Sequence, residues 1–268
     1  MERAQKIFAE RRLRFGRFIF TNDPKESKDW KFTLVGGNAD ELLQTPSDSL
    51  SSQFSSALKT GTKLACFSTD SGPLTGDHTR DLHRRGFSKS RMWTQYADKH
   101  AGVCLVLDKE RLERQIASQI PQSDEFCGGL VEYVNRYFVA ALEEGDYQID
   151  IHRLNEMGFD RYLSSHRAAF SRRLFFEKMS DWCDENEFRW VVFSQTESDL
   201  YIDITGSLVG VLFGDRVADS QVEHALCNLP LDTQVMGLKW KNCSAWYDFG
   251  ALRYNREYRA ERGAYCRQ

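Results

Sequence analysis

The chain has 268 residues, enough for one large domain or two small ones. With 41% hydrophobic and 13% aromatic residues it can bury a substantial core. Lys and Arg (36) nearly balance Asp and Glu (39), so bulk charge points to neither a nucleic-acid nor a membrane partner.

Residues 1–14 read as a short helix with apolar Ile7, Phe8 and Leu13 among basic Arg11, Arg12 and Arg14. An extended segment ends at Phe20, and Thr21-Asn-Asp-Pro24 is a turn with proline placed to start a helix. Residues 47–63 are serine-rich, but Leu50, Phe54 and Leu58 recur every four positions and predict a modest amphipathic helix. Lys63 to Ser68 is a strand that ends on a hydroxyl. The loop from Thr69 to Lys89 is rich in Gly, Asp, His and Arg, and its roughly twenty residues exceed the usual connection length, as in functional lids or disordered segments.

The stretch from Arg91 to Asp108 dominates the middle of the chain. Met92, Trp93, Tyr96, Ala97 and His100 fall at helical spacing, and Gly102 sits where a helix would stop. Val103 to Leu107 is then a short apolar run suited to a buried strand. Such a platform is either a packed core element or the wall of a site. A helix over 109–120 follows, then a break over 121–129 and a strand over 130–134. Residues 150–179 read as helix and 187–193 as strand. A strand over 207–213, a helix over 220–227 and strands over 233–240 and 245–249 complete the core. The tail from Arg253 carries five arginines and reads as surface or partner-binding. The expected organisation is a single α+β domain over 1–252 and a basic tail over 253–268.

Seven scattered cysteines form no C-x-x-C pair, so a structural zinc site of the usual spacing is not expected. Their odd number, and an N-terminus without an apolar signal core, predict a reduced, cytoplasmic protein. No apolar run is long enough to cross a membrane. His78 and His83 with Asp77 match no common metal site.

Chemistry is most concentrated in Lys178-x-x-x-Trp182-x-x-Glu185-x-Glu187-x-Arg189. On a strand, Glu185, Glu187 and Arg189 share one face, while Phe188, Trp190 and Val192 share the other. Two carboxylates and a guanidinium can divide the labour of polarising a hydroxyl and holding an anion. They can equally be a solvated, mutually paired strand face. Trp182, on a helix end, is expected in the core.

Three segments together resemble a bacterial family called domain of unknown function 2971. They are Phe20-Thr-Asn-Asp-Pro-Lys-Glu26, then Cys66-Phe-Ser68 with Met92-Trp93-x-x-Tyr96-Ala-Asp-x-His100-x-Gly102, then the Lys178 to Arg189 motif. That pattern is similar to ADP-ribosyltransferase-like folds, which implies a split, mainly antiparallel sheet flanked by helices and NAD as substrate. By this resemblance Ser68 is the middle-strand hydroxyl, Trp93 and Tyr96 stack on nicotinamide or adenine, and Glu187 is the late-strand catalytic glutamate with Glu185 two residues before it. His100 and Arg189 complete the implied NAD-binding set. The family's first strand, with Tyr and a basic residue, has no counterpart in this reading, and the arginines at 11, 12, 14 or 17 are the candidate substitutes. The implied activity is NAD cleavage with transfer or hydrolysis of ADP-ribose, serving as a toxin or antiphage effector on a protein or nucleic-acid acceptor. The competing expectations are a non-catalytic protein- or nucleotide-binding module and, more weakly, a metal-dependent nucleic-acid enzyme using Glu185 and Glu187.

Overall fold

The computed structural model describes residues 1–137, 144–194, 196, 198–248 and 254–265. Its strands are β1 (Arg12–Arg17), β2 (Thr33–Val35), β3 (Thr62–Ser68), β4 (Val103–Leu107), β5 (Glu125–Leu130), β6 (Glu132–Tyr133), β7 (Gln148–Asp150), β8 (Glu177–Lys178), β9 (Glu187–Phe193), β10 (Leu200–Asp203), β11 (Leu208–Phe213), β12 (Gln234–Lys241) and β13 (Ser244–Asp248). Helices and mainly antiparallel sheets alternate along the chain, the α+β class that the sequence predicts. By contacts the chain forms two compact units, interleaved in sequence.

The first unit comprises Met1–Arg14, Ser68–Ile120 and Tyr201–Gln268. Its sheet runs β13-β12-β11-β4. β11 pairs antiparallel with β4 and parallel with β12, which pairs antiparallel with β13. Val211, Leu212 and Phe213 are buried because β11 is central. The Glu2–Glu10 helix buries Phe8 and ends at Arg11, which adopts a left-handed conformation. The helix Lys109–Gln119 starts on an Asp108 cap and buries Leu112 and Ile116, at the predicted spacing. Part of the basic tail forms the helix Arg256–Tyr265. Arg259 is buried there and donates to the carbonyls of Thr233 and Pro230, so this arginine is structural and not a free surface charge. Residue 249 of the last predicted strand and Arg253, Cys266 and Arg267 of the tail lie outside the described residues.

The second unit comprises Phe15–Phe67 and Pro121–Leu200. Its strands run β1-β3-β9-β5, with β1–β3 and β5–β9 antiparallel. The core collects Phe18, Trp30, Phe32, Phe54, Phe175 and Phe193 under the helices Ser47–Thr60 and Phe159–Phe175. Phe18, Trp30 and Phe175 meet edge to face or tilted at 5.2–5.8 Å between ring centroids.

Several expectations shift. A strand, β1, precedes the Asn-Asp-Pro turn where the sequence predicts an extended segment, and it carries Arg12, Arg14 and Arg17 but no tyrosine. The predicted strand over 130–134 is the short β6, and the predicted break over 121–129 holds a further strand, β5. Its Gly128 and Gly129 disguised it, yet a side chain at either position would collide with Trp190 or Arg172. The long helix over 150–179 divides into Ile151–Met157 and Phe159–Phe175 at Gly158, whose φ is 76°. The loop after Ser68 is built from three short helical turns, and buried Asp81 accepts from the backbone of Thr75 and Gly76. Cys227 is disulfide-bonded, against the expectation of reduced thiols throughout.

Candidate functional site

The Trp93 platform differs from its predicted form. The helix Ser90–Tyr96 stops well before Gly102. Asp98, Lys99 and His100 then adopt left-handed φ values of 50°, 50° and 72°. His100 is therefore on a turn, not on the helix face. Its N–H and that of Ala97 both donate to the Trp93 carbonyl, which closes the turn on the helix end. The His100 ring stacks on Trp93 at 6.3 Å and 13°, and its Nδ1 accepts from the Trp240 indole N–H at 3.0 Å. Asp215 Oδ1 lies 3.9 Å from the same nitrogen. Trp93 is buried and donates to the Phe87 carbonyl, while Tyr96 is exposed. Ser68 ends β3, half-buried, and its carbonyl packs so closely on Gly86 that a side chain there would collide with it. Cys104, on β4, has its thiol pushed up to about 12 by burial, which makes it inert.

The second unit holds a charged cluster. Glu187 opens β9 after a 3-10 turn (Ser180–Glu185) and Asn186, whose φ is 44°. Glu185, Glu187 and Arg189 are buried, so the expectation of a solvated strand face is corrected. Glu185 lies on the turn and not on the strand, while Glu187 and Arg189 share one face of β9 with Val191 and Phe193 of the aromatic core. Trp190 and Val192 bury the opposite face as well.

Burial of these charges demands partners. Arg189 Nε reaches Glu187 Oε1 at 2.7 Å, and Nη1 reaches Glu26 Oε1 at 2.6 Å and the Phe175 carbonyl at 2.7 Å. Lys178 Nζ lies 2.8 Å from Glu185 Oε2 and 2.7 Å from Glu187 Oε2. Glu187 N–H donates to the Tyr133 hydroxyl at 2.9 Å, and burial pushes that phenol up to about 12. Burial alone would raise the Glu187 carboxyl, but Arg189 and Lys178 outweigh it and hold it down at about 2. Burial would likewise lower Lys178, and Glu187 and Glu26 outweigh it to hold the ammonium above its usual range. Cys66 on β3 is exposed by area, yet neighbouring atoms crowd its thiol. That crowding, and then the Glu187 carboxylate, push it well up, so it is a hydrogen-bond donor to Glu187 and not a thiolate.

This cluster sets three carboxylates (Glu26, Glu185, Glu187) against two cations (Lys178, Arg189). A neighbouring network is balanced. There Glu177 pairs with Lys25 and, through two hydrogen bonds, with Arg136, while Glu144 and Asp146 pair with Arg136 and Arg173. The central cluster is not isolated from other charges, since the Lys25 and Lys59 ammonium groups also act on Glu26.

The structure brings Glu185, Glu187 and Arg189 together, and separately joins Trp93 to His100. Ser68, Trp93, Tyr96 and His100 belong to the first unit and the carboxylates to the second. Sequence reasoning assigned no role to Glu26, Lys178, Cys66 or Tyr133. Glu26, Cys66 and Lys178 lie within the three segments and Tyr133 outside them, and pairing between separate elements has no linear signature. Trp182 is half-buried and not core, with Lys178 Nζ 5.1 Å from its ring centroid. Among the described residues no group of three or more His, Cys, Asp or Glu is placed to hold a metal ion. No helix among them is long and apolar enough to cross a membrane.

Neither a curated protein nor a solved structure matches the chain. Residues 92–190, from the Trp93 helix through Arg189, match the model of a family described as protein of unknown function (DUF2971).

Proposed function

We propose that the protein cleaves the glycosidic bond of NAD, with Glu187 as the residue that stabilises the sugar cation and Glu185 as the residue that positions the acceptor. The observation that carries this reading is a buried Glu187 carboxylate kept ionised by fixed partners. Arg189 and Lys178 hold the Glu187 carboxyl at about 2, so it stays ionised at any working pH although it is buried. Glycosidic cleavage passes through an oxocarbenium-like state that a fixed negative charge in a dry site stabilises. Lys178 and Arg189 hold Glu187 in place, and its carboxylate is the charge that acts on the cation in this reading. Ser68, Trp93, Tyr96, His100 and Arg189 enter as the NAD-binding set by resemblance alone. A protein or nucleic-acid acceptor, a toxin or antiphage role and a cytoplasmic setting belong to the same proposal.

A second reading, a non-catalytic binding module, has its own observation. Both Glu187 oxygens are engaged, Oε1 by Arg189 and Oε2 by Lys178, as expected of a purely structural ion pair.

The test is incubation of the chain with NAD, with and without cell extract, scored for nicotinamide release. The wild type should release nicotinamide, and Glu187→Gln should lower the rate about a hundredfold or more. Absence of turnover in both conditions favours the binding module. Turnover unchanged in a folded Glu187→Gln variant removes Glu187 from the chemistry.

A further inference from the structure

A separate cleft of about 220 Å³ opens in the second unit between β7 and the helices Ile151–Met157 and Phe159–Phe175. None of its lining residues belongs to the Glu187 cluster. Gln148, Asp150 and Arg153 form one side, and Ser165, His166 and Phe170 the other.

His166 is the informative residue. It is buried, with ring contacts to Phe32, Phe54, Tyr162 and Phe170 at 4.8–6.0 Å. Its Nε2 lies 3.0 Å from the Asp146 carbonyl. A carbonyl only accepts, so Nε2 carries the proton. Burial lowers the pKa of the ring and keeps it neutral, so Nδ1 is the acceptor nitrogen of a residue that lines the cleft. The lining charges, Asp150 and Arg153, cancel. The cleft is smaller than pockets for drug-sized molecules. It therefore suits a small, neutral, flat molecule with an N–H for Nδ1, a polar edge for Ser165 and an aromatic face beside Phe170.

We propose that this cleft binds a neutral heteroaromatic amide-type ligand, of the nucleobase or pyridine-carboxamide class. The site is independent of the NAD-cleavage reading, since it shares no residue with Glu187.

The experiment titrates the full chain with adenine and, separately, with nicotinamide. It follows heat of binding and the ring ¹⁵N signals of His166, assigned by a His166→Gln spectrum. One of the two compounds should bind and shift the Nδ1 signal. Ala169 lines the cleft from an exposed helix position, so Ala169→Trp should fill it without disturbing the core. That variant should keep the wild-type melting temperature and bind about tenfold more weakly or worse. Glu187→Gln should bind as the wild type does, which separates this site from the chemistry proposed above. The assignment is overturned if neither compound binds at concentrations on the order of millimolar. It is also overturned if Ala169→Trp binds normally or the Nδ1 signal stays fixed on saturation.

Discussion

Glu187 shows how one residue's surroundings decide what a substitution does. From sequence, Glu187→Gln looks isosteric and harmless to the fold. In the structure it replaces an anion clasped by Lys178 and Arg189. The amide oxygen can still accept from Arg189, but an amide NH₂ then faces the Lys178 ammonium. We expect a loss of about 2–4 kcal/mol, below the upper end for a broken buried pair because Glu185 still holds Lys178. Urea unfolding measures it. The pH dependence follows from the same clasp. The Glu187 pKa falls from 4.5 to about 2 on folding, so the unfolded chain binds the proton more tightly. Its stabilisation is complete above about pH 4.5 and is lost as pH falls through about 2, an effect on the order of 3 kcal/mol. Acid unfolding of Glu187→Gln should show a correspondingly shallower slope in that window. Lys99 offers the opposite case. It occupies a left-handed conformation between two other left-handed residues, so Lys99→Gly should stabilise the chain by up to about 1 kcal/mol. Calorimetry reads this as a higher melting temperature.

At the scale of elements, legibility followed hydrophobic continuity. β3 and β11 hold apolar runs and β9 alternates, and all three were readable to within a residue or two. β5 was not, because Gly128 and Gly129 carry no side chain and their role belongs to Trp190 and Arg172, far along the sequence. Gly128 pairs directly with Trp190, whose ring lies over it. Gly128→Ala should therefore cost about 1–3 kcal/mol, because buried Trp190 has no room to retreat. A fall in melting temperature with unchanged circular dichroism checks it. The motif on β9 was legible as a set of charges on one face, but its burial was not. Residue type suggests a wet face, and only the partners Glu26 and Lys178 make a dry one tolerable. Trp182 erred in the other direction. It is half-buried, so Trp182→Ala should cost only about 1–2 kcal/mol, short of the 3–5 expected for a core tryptophan.

For the whole molecule, the chain passes between its two units four times, at residues 14/15, 67/68, 120/121 and 200/201. No composition shift marks these crossings, and so the sequence read as one domain. The interleaving also sets an order of events during synthesis. The second unit has its last residue once Leu200 leaves the ribosome, whereas the opening segment Met1–Arg14 awaits partners that begin at Tyr201. Units generally fold as their residues emerge. A nascent chain released at Leu200 should already protect 15–67 and 121–200 from protease, while its first fourteen residues and the long middle insertion are trimmed. The N-terminal helix would then be among the first pieces made and the last to find its place.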